Sequence, residues 1–356
     1  GPATLAPSAS ERSWRARSSL MQGFGQPIGR AAARGARRAR AASSLASLGA
    51  PPPSALALLA PQQGISMEYG QLDLKARQLA TGLEDLGYVA GSVIISDFPN
   101  TAENLLLQCA LAHVGAAIAT PPKDEAAMAA LCAAHDVRGV VTVDGMAPTA
   151  GPAKALPTVY LELEEGLRPA SRGAVAFAEL LEHCPPRGGA PAATPESLVG
   201  VFGTAPLSHA AAADLGADAA STLGLSAADR VCCSVTLMHA FGVQACAAAF
   251  GAGAAVVLPA VGGIRGCGDP SQRASVTADV LATSGATVLF GDTHTLRAMA
   301  AAPAPAAMLA LRTGVIKIGS GSSFLPGVRE APAPKGGEPL PLEYAGVAMH
   351  AFGKAK

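Results

Sequence analysis

Apolar residues along this chain fall into short runs, and between the runs they recur every three or four positions; the two patterns alternate for most of its length. After Pro51-Pro52-Pro53, Ser66 is placed to cap a helix carrying Leu72, Leu74, Leu79, Leu83 and Leu86, which Gly87 ends. A strand at 93–96, a helix from Asn100 or Thr101 to Gly115, a strand at 116–119, a helix over 124–135 and a strand at 139–143 follow. A Pro/Gly-rich interval at 185–195 interrupts this order. Beyond it the spacing predicts strands at 199–202, 230–235, 254–258, 287–290 and 314–318, with helices at 208–223, 242–250, 275–284 and 293–299 between them. Short strands with few polar residues, joined by helices, predict right-handed doubly wound parallel sheets. The fold class is therefore α/β: residues 1–58 a basic Ser/Ala/Pro-rich arm, 59–190 a first lobe and 191–356 a second.

Composition narrows the function. Half of the 356 residues are hydrophobic while only 4% are aromatic, so the core is built from Ala, Val and Leu packed closely. The 26 basic and 26 acidic residues balance, which excludes a large field toward nucleic acid. Locally the balance fails: residues 1–50 hold Arg12, Arg15, Arg17, Arg30, Arg34, Arg37, Arg38 and Arg40 against the single acid Glu11. An Arg-rich, acid-poor start resembles an organelle targeting peptide, mitochondrial before chloroplast, and the alternative is a basic arm with no address. Gly1-Pro2 in place of Met fits a processed precursor or a scar left by a protease.

Seven cysteines with no C-x-x-C pair indicate reduced core thiols rather than a disulfide framework or a zinc site. Adjacent Cys232 and Cys233 should face opposite sides of one strand. No Asp, Glu, Lys or Arg lies between Arg230 and Arg265, but five glycines break the span, which reads as buried strands around an Ala-rich helix rather than a membrane crossing. The glycine-rich loop at 262–268 lacks phosphate-loop spacing and reads as a surface loop, and Glu162, Glu164 and Glu165 read as a solvated acidic edge.

Several segments, taken in order, resemble the large domain of the AMP-forming acyl-CoA synthetases and other adenylate-forming enzymes. These are 66–73 (SMEYGQLD) with 76–80 (ARQLA), 97–101 (DFPNT), Leu207-Ser208-His209, 237–242 (LMHAFG), 286–291 (ATVLFG) and 311–315 (LRTGV). The resemblance covers about residues 60–330 and implies two α/β lobes, an ATP-cradling loop before Leu207 and an acyl site beside His239. The departures matter more. A phosphate cradle needs several free backbone amides and a cation; where the family pattern is roughly S-G-T-T-G-x-P-K-G, this chain has only Phe202-Gly203-Thr204-Ala205-Pro206. Lys154 is far upstream, and Lys317 lies on or beside a predicted strand. The adenine- and magnesium-binding Y-G-x-T-E element corresponds to 343–349 (EYAGVAM), without its Thr or Glu. The ribose-binding motif and the small C-terminal domain are expected to be absent.

The candidate remnants of a cleft are Gly203, Thr204, Ser208, His239, Gly319 and Ser320. Of these, His239 invites a catalytic reading, weighed against a histidine packed at a helix start; residues 319–323 (GSGSS) read as the family's turn after a strand. Neither catalytic residues, nor a metal, nor a cofactor is expected. The resulting expectation is a non-catalytic accessory or scaffold subunit of a large mitochondrial assembly, respiratory complex I first and the ATP synthase second. Its partners would be other protein subunits, with the Arg-rich arm suited to an acidic protein surface or anionic lipid headgroups. The alternatives are an acyl-CoA- or nucleotide-binding protein and a truncated synthetase completed by a partner chain.

Overall fold

The computed structural model describes residue 45 and residues 51–143, 156–162, 174–259, 270–301, 310–319, 325, 328–333 and 337–353. All of them belong to the second of the chain's two compact units, Ala41–Lys356. Residues 1–44 of the basic arm, Glu164 and Glu165, the loop at 262–268 and Ser320 lie outside the described residues.

The first half runs β1 (Leu56–Ala60), β2 (Ile65–Glu68), α1 (Tyr69–Asp85), β3 (Val93–Ser96), α2 (Ala102–Val114), β4 (Ala117–Ala119), α3 (Glu125–Ala134), β5 (Val137–Val143), β6 (Thr158–Leu161), β7 (Val175–Ala176) and α4 (Phe177–His183). The second begins with β8 (Leu198–Phe202), β9 (Ala205–Ser208), α5 (His209–Leu223), β10 (Arg230–Cys233), α6 (Ala240–Ala252) and β11 (Ala255–Val257). It continues through α7 (Pro270–Thr283), β12 (Val288–Asp292), α8 (Thr293–Ala301) and β13 (Thr313–Ile318). Two short hairpins, β14 (Glu330–Ala331) with β15 (Leu340–Pro341) and β16 (Glu343–Tyr344) with β17 (Val347–Ala348), precede β18 (His350–Gly353).

Among the described residues the larger strands make two seven-stranded sheets, ordered β7-β6-β5-β3-β4-β8-β9 and β18-β13-β12-β10-β11-β1-β2. Each is parallel apart from one antiparallel hairpin at its edge, β8–β9 or β1–β2. The two orders match position by position: hairpin, then the strand pairs β4/β11, β3/β10, β5/β12, β6/β13 and β7/β18. The hairpins are exchanged, because β1–β2 opens the first half yet completes the sheet of the second, and β8–β9 does the reverse. Sheet membership therefore does not follow a division of the chain at residue 190.

Burial alternates along the strands. Val93 and Ile95 pack outward against Leu131 of α3, while Ile94 joins the core between the sheets. In the second sheet Cys232, Val257, Leu289 and Ile316 face α7 and α8, whereas Val231, Cys233, Val256, Phe290 and Val315 face inward. Cys232 and Cys233 thus lie on opposite faces, as the two-residue period requires. Helices α1, α2, α5 and α6 contribute to the inner core, giving five layers in the order helix, sheet, helix, sheet, helix. Helix α6 is buried from Phe241 to Phe250, and among the described residues no helix is long and apolar enough to cross a membrane.

Local chemistry sets most boundaries near the expected places. Asp124 caps α3 by accepting from the Ala127 amide, Ser208 caps α5 by accepting from the Ala211 amide, and Gly115 and Gly224 end α2 and α5 with left-handed backbone. The start of α1 differs. Ser66 lies in β2, and the cap is Glu68, which exchanges hydrogen bonds with Gln71 in a capping box. The arm also ends earlier than residue 58: Ala57 and Leu58 are completely buried in β1, where Leu58 pairs with Val256.

Candidate functional site

The strand order of the second sheet reverses at β10. The chain leaves β10 for β11 on one side and returns to β12 on the other, and in open α/β sheets such a reversal opens a crevice at the carboxyl ends of the strands. Residues 234–239 leave β10 at that point. They are held from the other sheet: the Asn100 side chain donates to the Cys233 carbonyl at 3.1 Å and accepts from the Leu237 amide at 3.1 Å. Gln108 donates to the Leu237 carbonyl at 3.0 Å and to Asn104, which itself donates to the carbonyls of Phe98 and Pro99. The network joins the carboxyl ends of β3 and β10. Gly242 follows in the first turn of α6, where a side chain would run into the Thr236 carbonyl.

His239 is the N-cap of α6. Its Nδ1 accepts from the Phe241 amide at 3.2 Å, so the neutral ring carries its proton on Nε2. Lys317, from β13, places Nζ 3.5 Å from Nδ1 and 3.4 Å from Nε2 of that ring. Surrounding protein, and then the Lys317 charge, hold the His239 pKa below its ordinary value. His239 thus caps the helix start through Nδ1. The crevice carboxylate, Asp292 at the end of β12, is also committed: it accepts from Arg273 Nη2 at 2.9 Å and from the Thr295 amide at 2.8 Å. Ser234 and Thr277 bond each other at 2.6 Å.

The remaining candidates separate. Gly203 and Thr204 form the two-residue turn of the β8–β9 hairpin, closed by the pairing of Phe202 with Ala205. Gly203 has a φ of +67°, and its amide donates to Thr120 Oγ1 at 2.9 Å. Ser208 caps α5. The next residue, His209, is buried, which pushes its pKa down to about 4. Gly319 follows β13 with a left-handed φ of +56°. Among the described residues His239 and Lys317 meet at the second sheet, with Gly319 just past the end of β13; Gly203, Thr204 and Ser208 belong to the hairpin and helix start that complete the first.

Of the 343–349 segment, which forms the β16–β17 hairpin outside the second sheet, Tyr344 is the aromatic residue. It is buried in β16 beneath α8, with Ala345 and Gly346 turning the hairpin. The strand beside β13 is β18, ending in Phe352-Gly353, with Lys317 paired to Phe352. Lys317 was recoverable from parity, since it alternates onto the same face as Val315 and so toward His239.

No family model and no curated protein sequence matches the chain. Solved structures do. They include a benzoate CoA ligase from Burkholderia xenovorans LB400, with TM-score 0.62 and 17% identity over 79% of this chain and 56% of that one. A putative long-chain-fatty-acid CoA ligase of Rhodopseudomonas palustris CGA009 gives 0.58 and 20% over 79% and 68%. MbtA of Mycobacterium smegmatis gives 0.59 and 19% over 89% and 56%. The chain spans little more than half the length of the benzoate CoA ligase. Sheet order, helix layers and these likenesses together make its fold that of the large domain of adenylate-forming enzymes.

Proposed function

We propose that this chain keeps the adenylate-forming fold without adenylation chemistry and acts as a non-catalytic accessory or scaffold subunit of a large mitochondrial assembly, respiratory complex I foremost. One observation carries the first part: the hairpin turn at Gly203-Thr204. A triphosphate cradle requires several amides pointing free into one concavity. The turn has two residues, and the Gly203 amide is taken by Thr120. The commitment of Asp292 to Arg273 supports the same reading, since a magnesium-bound triphosphate would meet a carboxylate that is already paired. The assembly and its location are supported by the eight arginines among residues 1–50, which suit import and then an acidic protein or lipid surface.

Pyrophosphate exchange with a panel of acyl and aryl acids, and calorimetry with ATP, test the chemistry. Background exchange and no saturable heat are expected; clear exchange by the chain alone would overturn the reading. Blue-native gels of mitochondrial extract test the assembly, where migration only as a free monomer would remove the scaffold role.

A further inference from the structure

The first sheet reverses as the second does: the chain leaves β3 for β4 on one side and returns to β5 on the other. The same rule of open α/β sheets therefore calls for a crevice at the carboxyl ends of its strands. A cleft of about 440 Å³ lies there, within the ~300–1,000 Å³ of small-molecule sites. It is bounded by the end of β6, by the junction of β7 with α4 and by the first turn of α2. These elements are the counterparts of β13, β18 and α6. The cleft thus occupies in the first sheet the place that Lys317, Phe352 and His239 hold in the second.

The chemistry of the two places is opposite. Lys317 supplies a cation in the second sheet, whereas the charged groups lining the cleft are Glu103 and Glu162, with no Lys, Arg or His among its described lining residues. The apolar wall is Leu161, Leu181 and Phe177, whose ring packs on Phe98 with centroids 5.6 Å apart. Tyr160 adds a second aromatic ring, and the face of such a ring attracts a cation.

Glu103 is held in position from the exchanged hairpin. Gln63, in the turn between β1 and β2, accepts from the Ala102 amide at 2.8 Å and donates to Glu103 Oε2 at 2.8 Å. A carboxylate accepts more than one donor, so this contact orients Glu103 without exhausting it. An acid in the first turn of a helix also suits the helix dipole. That accounts for Glu103 alone, and neither for Glu162, which belongs to no helix, nor for the cleft.

We propose that this cleft is a binding site for a small organic cation, an ammonium group on an aryl or alkyl body. Glu103 and Glu162 receive the ammonium, and Leu161, Phe177 and Leu181 receive the apolar part. The site needs neither nucleotide nor turnover and so goes beyond the non-catalytic reading.

Titration calorimetry of the full chain with benzylammonium, with its neutral counterpart benzyl alcohol and with benzoate, at millimolar concentration and without nucleotide, tests the assignment. Saturable binding of benzylammonium is expected, about 10-fold tighter than that of benzyl alcohol, and no binding of benzoate. Glu103→Gln, which keeps an oxygen for Gln63, should bring benzylammonium to within about 3-fold of benzyl alcohol. Glu162→Gln, at an exposed position, makes the same test if the Glu103 variant does not fold. Ala178→Trp puts a large side chain at the cleft from an exposed position on α4, and should abolish binding of both ligands with the urea midpoint unchanged. No saturable binding of benzylammonium, equal affinity for benzylammonium and benzyl alcohol, or binding that survives Ala178→Trp overturns the site. An ammonium preference that both glutamine variants leave intact overturns the role of the carboxylates.

Discussion

Replacing Arg312 with methionine should destabilise the second lobe at neutral pH and flatten its acid sensitivity. Asp229, almost wholly buried at the start of β10, accepts from Arg312 Nε and Nη2 at 2.9 Å, from Thr287 Oγ1 at 2.8 Å and from the Ser226 amide at 2.8 Å. Burial opposes the Asp229 charge, but these hydrogen bonds and the guanidinium outweigh it and bring the pKa down from 3.8 to about 2. A difference of that size corresponds to about 2 kcal/mol of stability. Because the folded pKa is the lower one, the contribution is complete above pH ~4 and is lost as pH falls toward ~2. Arg312 also donates to the Leu223 and Gly224 carbonyls at the end of α5. Removing one partner of a buried ion pair costs ~3–5 kcal/mol; solvent around the Arg312 side chain, 41% exposed, lowers the expectation to about 2–3 kcal/mol. Urea unfolding followed between pH 5 and 2.5, with Asp229→Asn as the control for other carboxylates, measures both effects. A stability change below about 0.5 kcal/mol at pH 7, or an acid profile of Asp229→Asn superimposable on that of the unaltered chain, would refute the reasoning.

His209 is held neutral by burial with a pKa near 4, below the ordinary 6.5; unfolding allows it to protonate, so stability should decline from pH ~6.5 toward ~4 by up to about 3 kcal/mol. His209→Gln should show a shallower decline in the same titration. Gly242→Ala forces a methyl group onto the Thr236 carbonyl at the start of α6 and should cost at least about 2 kcal/mol, read as a lowered urea midpoint with an unchanged slope. Asn100→Ala leaves the Cys233 carbonyl and Leu237 amide without their partner and should cost about 1–3 kcal/mol. Faster amide exchange at residues 234–239 should accompany that loss, and unchanged exchange would argue against the network's role in holding the loop.

The parallel strands were the most legible part of the fold. Residues 93–96 and 230–233 are short apolar runs between turn residues, and a buried parallel strand leaves little else for such runs to be. The edge hairpins were not legible. Strand β9 contains Pro206, which is tolerated at an edge and reads as loop in isolation, while β1 follows three prolines and merges with the arm. At the site, His239 was recognisable from its local motif. Phe352 was not, because only the pairing of β18 with β13 places it beside Lys317. Lys317 is distant from His239 in sequence and becomes its neighbour through strand order alone.

The exchanged hairpins make the two halves mutually dependent. Leu58 of β1 finds Val256 only after the intervening chain has been synthesised, so the sheet begun first is finished late. A break between residues 190 and 197 would leave each fragment with an exposed sheet edge in need of the other's hairpin, and the fragments should either reassociate or aggregate. Loss of either half by truncation would therefore remove both sheets as folded objects, and a binding surface on one half requires the other to exist.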